Sequence, residues 1–574
     1  MTGTNRRISC GTAFILTAFV LLLISSNGFA VGGNCPTGAN YVNPSNPTGS
    51  LVTLSTLGVT SCYFVSATGA DTNNGISEST PWLHAPGMPA CAGNCASTKP
   101  APGTGFILRG GDTWHFGNSG LSPYSGGTWN WSSSGSSGSP IYVGVDPGWY
   151  NGGSWSRPVM NGDNPLSTTA VASCPYQTGS SNIFLSDVLT HYGIWDNFEW
   201  TGKCQNTYAY GINDYVFDSG TTYSTFMHMY FHGCTHIAFS CSGGSGVCYG
   251  AYAFLGSQGS GVQTGLQYYY DVFDGSDSDP ASWGGFYDGM FTVAYSVFNN
   301  LSENIANYAH LIHDNVFSNW VPPGDGYSHG NVYEEVGEAN PYNAMYNNVF
   351  YNLYTTSPGD GVCFWLGPIN TATYAFNNVF YAASCGGNYI NVGRNNTNQG
   401  TYYFFNNTME SPTNSSIITF STASYSHPLY LTNNHYITDA SSPYLAPSQT
   451  TYATELLMTH ATATADGYTP SATYAYSPST SGSTPTATAG TNETTNYCSA
   501  LAAAASSDPT LSNAATACDS DTTYSCSYNS TNHTVTCPMR TVDARPSSTA
   551  WSIGAYQATS SVTEPPTNVT SAGH

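Results

Sequence analysis

Seven times between residues 270 and 436 the chain returns to one short phrase. It reads Tyr270-Asp271-Val272-Phe273-Asp274, then Tyr295-Ser296-Val297-Phe298-Asn299-Asn300, then Ile312-His313-Asp314-Asn315-Val316-Phe317-Ser318-Asn319. It continues as Met345-Tyr346-Asn347-Asn348-Val349-Phe350-Tyr351-Asn352 and Ala375-Phe376-Asn377-Asn378-Val379-Phe380-Tyr381. Weaker copies follow at Phe404-Phe405-Asn406-Asn407-Thr408-Met409 and Leu431-Thr432-Asn433-Asn434-His435-Tyr436. The Val positions and their equivalents (272, 297, 316, 349, 379, 408 and 435) step by 25, 19, 33, 30, 29 and 27 residues. A period of this size marks a solenoid, and its irregularity suits coils that share short strands but differ in their loops. Alternating apolar residues such as Ile312 and Val316 match a strand with one buried face. The Asn before each Val-Phe suits a tight bend, because Asn tolerates the left-handed backbone region. Stacked coils, about 4.8 Å apart, place these amides above one another where they hydrogen-bond along the stack. Heptads are absent, and a β-propeller needs more regular blades of about 40 residues.

The two ends carry phrases of their own. Residues Tyr63-Phe64-Val65-Ser66-Ala67-Thr68-Gly69-Ala70-Asp71-Thr72-Asn73-Asn74-Gly75, then Thr80-Pro81-Trp82 and the run 105–114, resemble the opening of pectate-lyase-like right-handed β-helix proteins. Arg545-Pro546 and Trp551-Ser552-Ile553-Gly554-Ala555-Tyr556-Gln557 are similar to the closing phrase of secreted members. The resemblance spans residues 60–557 and implies an all-β, single-stranded right-handed parallel β-helix with an N-terminal cap and an irregular C-terminal excursion. The expected division is 1–30 signal peptide, 31–62 cap, 63–445 β-helix, 446–557 excursion and closing strand, and 558–574 linker-like tail. Within the excursion a helix is expected around Thr454–Ala465. For activity the superfamily is permissive, since it holds lyases, glycoside hydrolases, esterases, epimerases and adhesins.

Arg6 and Arg7, the twelve-residue apolar run from Ala13 to Ile24 and the small residues of Gly28-Phe29-Ala30 read as an export signal. The run is shorter than the ~20 residues that span a bilayer. Without Arg6 and Arg7, seven of the nine Lys and Arg remain against 32 Asp and Glu, a formal charge of −25. Such a surface has no footprint for nucleic acid or anionic lipid. Sixteen cysteines agree with export. Cys91 with Cys95, Cys241 with Cys248, Cys363 with Cys385 and Cys526 with Cys537 are expected as local disulfides, with zinc as the rival reading for Cys91-x3-Cys95. Removing Cys10 with the signal leaves an odd number.

The densest polar cluster runs through Glu303, His310, His313 and Asp314 to Asp325, Tyr327, His329, Asn331, Tyr333, Glu334, Glu335 and Glu338. If Val332 faces inward, strand alternation sends His329, Asn331, Tyr333 and Glu335 outward. Carboxylates then act as acid and base across a glycosidic bond, His329 shuttles protons and Tyr333 stacks on sugar rings. The candidate catalytic residues are therefore His329, Glu335, Asp325, Glu334, His310 and His313, and the bland reading is a decorated strand between solvated loops. A second acidic run, Asp274, Asp277 and Asp279 with Asp288 beyond, has the oxygen ligands of a calcium loop without EF-hand spacing. It also reads as an ordinary turn.

Elimination of a uronate needs a base that superfamily lyases supply as Arg or Lys. Here only Arg157, Lys203 and Arg394 are placed for that role, and none lies in a matching motif. Hydrolysis by carboxylate and imidazole groups suits the charge balance better. The expectation is an extracellular protein that cleaves a polysaccharide, with calcium as the one candidate cofactor. The alternative is a non-catalytic, adhesin-like glycan-binding solenoid.

Overall fold

The computed structural model describes residues 32–574 except 177–182, 206–214, 238–254, 257–262, 279–285, 288–290, 303–304, 307–309, 321–330, 337–340, 355–363, 368–370, 385–389, 393–399, 413–416, 421–427, 442–449, 479–485 and 559–574. Short strands from successive coils stack into three wholly parallel sheets. Sheet 1 has 13 strands, from Ser61–Val65 to Thr450–Ala453; sheet 2 has 12, from Thr113–His115 to Leu456–Met458; sheet 3 has 10, from Trp129–Trp131 to Ile418–Phe420. Each coil visits sheets 3, 1 and 2 in turn, as Val216–Phe217, Thr225–Met227 and Tyr230–Phe231 do. The chain is thus a right-handed parallel β-helix.

The repeat phrase is the corner between sheets 1 and 2, and its two polar residues divide the work. The first takes the left-handed conformation, with φ of 55° at Asp314, 56° at Asn347 and Asn377, and 53° at Asn406. The second stacks inside. Asn315 Nδ2 donates to Asn348 Oδ1 (3.1 Å), Asn348 to Asn378 (3.0 Å), Asn378 to Asn407 (2.9 Å) and Asn407 to Asn434 (2.9 Å). Each Nδ2 also donates to a main-chain carbonyl within the solenoid, as Asn348 does to Ile312 O at 2.9 Å.

The Phe of each phrase points into the core. Phe273, Phe298, Phe317, Phe350 and Phe380 stack with centroids 4.8, 4.6, 4.7 and 4.5 Å apart. The Val points outward, yet it is buried too, because the C-terminal segment folds back over the solenoid. Val272, Val297, Val316, Val349 and Val379 share one buried apolar cluster with Cys526, Val535 and Cys537 of the hairpin Ser527–Asn529 and Thr534–Thr536, and with Ala555 and Tyr556. On sheet 1, Tyr346, Tyr374 and Phe376 are covered by Leu501, Ala504, Leu511 and Ala514 from the helices Tyr497–Ser507 and Ser512–Ala517 and the turn between them. The expected one-faced strands therefore have two buried faces.

Two other expectations change. Residues 450–458 are not helical but add the strands Thr450–Ala453 and Leu456–Met458 to sheets 1 and 2; the helix starts at His460, where Thr459 caps it by accepting from Thr462 N. Residues 551–557 add no strand to the three sheets. They lie across the corners instead, with Gly554 N donating to Asn433 O and Asn406 Nδ2 to Ser552 O. Disulfides join Cys35–Cys62, Cys91–Cys95, Cys174–Cys204, Cys498–Cys518 and Cys526–Cys537. The Cys91–Cys95 bond removes the zinc reading; Cys241, Cys248, Cys363 and Cys385 lie outside the described residues.

The amide stack ends on a carboxylate. Asn434 donates from its backbone N (2.9 Å) and from Nδ2 (3.1 Å) to Glu455 Oε1, and Tyr436 OH donates to Oε2 at 2.6 Å. Burial pushes the Glu455 carboxyl up to about 8, against these hydrogen bonds. A raised folded-state pKa means that the folded chain holds the proton more tightly than the unfolded one. The associated stability is full below the ordinary glutamate pKa and is lost as pH rises through about 8. Glu455→Gln keeps the acceptor and removes the charge. It is expected to raise stability by about 2 kcal/mol at pH 9 and to change it little at pH 5, as read from thermal midpoints at both pH values.

Candidate functional site

The structure divides the expected polar cluster between two sheets. His313 ends the sheet 1 strand Leu311–His313, buried, with its ring stacked on Tyr346 at 4.7 Å and Nδ1 2.8 Å from Asp314 Oδ2. His310 Nε2 reaches the C-terminal segment, 3.1 Å from Asp508 Oδ2. Both imidazoles thus lie beneath or against that segment. Glu334 and Glu335 lie on the sheet 3 strand Tyr333–Val336, in register with Trp365 and Leu366. Val332 and Tyr333 both enter the core, so the alternation shifts by one and Tyr333 is not the outward sugar platform expected. Glu334 is buried, and its Oε2 accepts from Asn331 Nδ2 at 2.8 Å. Glu303, Asp325, Tyr327, His329 and Glu338 lie outside the described residues.

The second acidic run leads further. Asp274 Oδ1 accepts from Ser276 N (2.9 Å) and Asn299 Nδ2 (3.0 Å), while Oδ2 accepts from Tyr528 OH (2.6 Å). Asp277 Oδ1 accepts from Gly233 N at 2.9 Å. These carboxylates thus already have protein donors that a calcium shell would have to displace. Among the described residues no three His, Cys, Asp or Glu are grouped to hold a metal; Asp279 and Asp288 are outside them.

Asp277 belongs to a larger centre on the outer side of sheet 2. Glu199, Tyr230 and Val272 are register neighbours on three successive coils, and His232 directly follows the strand Tyr230–Phe231. His232 donates from Nδ1 to Asp277 Oδ2 at 2.7 Å and from Nε2 to Glu199 Oε1 at 3.2 Å. The side chains are 9% exposed for His232, 27% for Glu199 and 36% for Asp277, so both carboxylates open to solvent and the ring shows only an edge. Tyr230 is sandwiched between two imidazoles, 4.1 Å from His232 and 4.0 Å from His533. His533 and Tyr528 come from the C-terminal hairpin and join each other at 2.8 Å. Arg157 anchors the floor, donating to His228 O at 2.8 Å and His533 O at 3.2 Å.

Burial alone would depress His232, but the bonds to Asp277 and Glu199 and their charges push it up to about 9. Burial works against charge on Asp277, while His232 and the Gly233 N–H hold its carboxyl below the usual range. Burial and the His232 charge lower His533. At neutral pH the centre is therefore one imidazolium between two carboxylates, beside a neutral imidazole. It can accept hydrogen bonds from hydroxyl groups and exchange protons with a bound polar ligand.

A sequence signal for this centre exists. Phe198-Glu199-Trp200 and Met229-Tyr230-Phe231-His232 are earlier copies of the repeat phrase, in register with Val272 and Phe273, but Glu199 and Tyr230 stand at its Val position and Trp200 replaces its Phe in the first copy. Nothing local announces His533 or Tyr528, which arrive from about 300 residues downstream.

No protein-family model matches the chain, and no curated protein matches it in sequence. Similar solved structures include a family 136 lacto-N-biosidase from Eubacterium ramulus, at 11% identity over 70% of this chain and 68% of that one, with a TM-score of 0.35. A pectate lyase is similar at 12% identity over 87% and 96%, TM-score 0.34. A mannuronic-acid-specific family 6 polysaccharide lyase from the human gut microbiota is similar at 15% identity over 69% and 82%, TM-score 0.36.

Proposed function

We propose that this chain is an extracellular carbohydrate-active β-helix protein that hydrolyses a polysaccharide by carboxylate–imidazole chemistry at Glu199, His232 and Asp277. The observation that carries this reading is the imidazolium held between two part-exposed carboxylates. Those carboxylates lie beyond opposite edges of one ring, 2.7 and 3.2 Å from its nitrogens. Hydrolysis needs one proton from the site: the His232 imidazolium supplies it to the leaving-group oxygen through one carboxylate it is bonded to, and the other carboxylate takes a proton from the attacking water. Elimination has weaker support. Arg157 is buried and donates to main-chain carbonyls, and Lys203 is buried with Nζ 5.7 and 5.4 Å from the ring centres of Phe184 and Tyr215. The five described disulfides support an oxidising, extracellular setting.

A second reading keeps the chemistry at the cluster expected from sequence, with Glu334 and Glu335 on sheet 3 and with Asp325 and His329, which lie outside the described residues. In its favour, the described C-terminal helices and hairpin pack over sheets 1 and 2.

A panel of neutral, uronate-containing and amino-sugar polysaccharides tests the proposal, assayed for reducing ends and for unsaturated-uronate absorbance with and without calcium. New reducing ends, independent of calcium, are expected. Unsaturated products that require calcium would overturn hydrolysis, and binding without any product would leave a glycan-binding solenoid.

A further inference from the structure

A separate cavity of about 360 Å³ opens where the last coils meet the helix His460–Ala465. That size falls within the range of small-molecule sites, ~300–1,000 Å³. Glu410 lies at its base, ending the sheet 2 strand Thr408–Glu410, with its side chain 5% exposed. Its Oε2 accepts from Ala382 N, and its Oε1 accepts from His460 Nε2 at 2.8 Å. His460 Nδ1 is 3.1 Å from Oδ2 of Asp439, a 50% exposed residue outside the cavity lining. The phenol rings of Tyr468 and Tyr476 and the aliphatic Ile437 and Ala463 form the walls.

The charge count of this cavity is one-sided. Burial disfavours charge on His460, but its bonds to Glu410 and Asp439 outweigh this and raise its pKa; with the ring protonated, the three groups carry one net negative charge. Neither Lys nor Arg is among the lining residues. A uronate would bring a third carboxylate to a His460 imidazolium already shared by Glu410 and Asp439, and the added like charge in a partly enclosed site is unfavourable. An ammonium group makes the balance neutral, and its N–H donors match the remaining carboxylate lone pairs. The aromatic walls suit the apolar face of a pyranose.

We infer that this cavity binds a protonated amino sugar, as an accessory subsite for an amino-sugar-bearing glycan. The sugar half of this inference rests on the carbohydrate reading above; the cationic half rests on the cavity alone. The test titrates the full chain at about pH 6 with glucosamine, N-acetylglucosamine, glucuronate and cyclohexylamine, followed by calorimetry and saturation-transfer NMR. Glucosamine is expected to bind at least ~10-fold more tightly than the other three. Glu410→Gln should weaken it about 10-fold, and Asp439→Asn, outside the lining and bonded to His460, a few-fold. Equal binding of glucuronate or N-acetylglucosamine would overturn the cationic half, and equal binding of cyclohexylamine the sugar half. Unchanged glucosamine affinity in both variants would overturn the site itself. Because Glu199→Gln leaves this cavity intact, loss of the hydrolytic reading and loss of this one give different results.

Discussion

Replacing Asn348 by alanine is expected to lower the unfolding free energy by at least about 3 kcal/mol, a larger loss than a typical point substitution produces. The side chain is fully buried and makes four hydrogen bonds. Its Nδ2 donates to Ile312 O (2.9 Å) and Asn378 Oδ1 (3.0 Å), and its Oδ1 accepts from the backbone N and the Nδ2 of Asn315, both at 3.1 Å. Alanine would leave the Asn315 donors and the Ile312 carbonyl facing a space with no replacement partner, and a buried unsatisfied polar group costs ~1–3 kcal/mol. Asn347→Gly, one residue earlier, makes the contrast. That residue needs only its φ of 56°, which glycine adopts freely, so the loss there is expected to stay near 1 kcal/mol or below. Denaturant midpoints of the two variants check this. Equal losses would mean that the stacked amide contributes no more than the bend does.

Glu199→Gln and Asp277→Asn are each expected to reduce kcat/KM by about 10²–10⁴ on any glycan that the wild type cleaves, with the fold unchanged by circular dichroism. His232 acts differently, as the proton-bearing group hydrogen-bonded to both carboxylates. Its substitution by alanine should lower activity and also displace the alkaline limb of the pH profile, which in the wild type follows loss of the His232 proton near pH 9. The stability that this proton brings has a definite direction. It is full below the ordinary histidine pKa and is lost as pH rises through about 9. Full activity in both carboxylate variants, with loss of activity in Glu334→Gln or His329→Ala, would move the site to the cluster expected from sequence around Glu334.

The solenoid was legible from residues 270–436 because its determinants are local and repeated. An inward Phe, an outward Val, a residue that tolerates positive φ and a stacking amide recur in each coil, and parallel pairing carries that pattern from one coil to the next. Two disulfides, Cys91–Cys95 and Cys526–Cys537, were legible separately, from cysteine spacing. What sequence could not place was anything that depends on the coils' outer surfaces. His310 and His313 looked like neighbours of Glu334, since 21 residues separate His313 from it, yet one coil carries them to different sheets. Val316 looked like half of a one-faced strand, yet residues from Cys526 to Cys537 cover it. Asp277 read as a calcium ligand, and the fold gave it His232, 45 residues earlier in the chain. Sequence alone determined the β-helix and its corners, because each coil holds the instructions for its own bend. Tertiary structure alone decided which polar groups meet, because the hairpin bringing His533 and Tyr528 to Tyr230 and Asp274 docks by burying apolar area, which has no directional code in the chain.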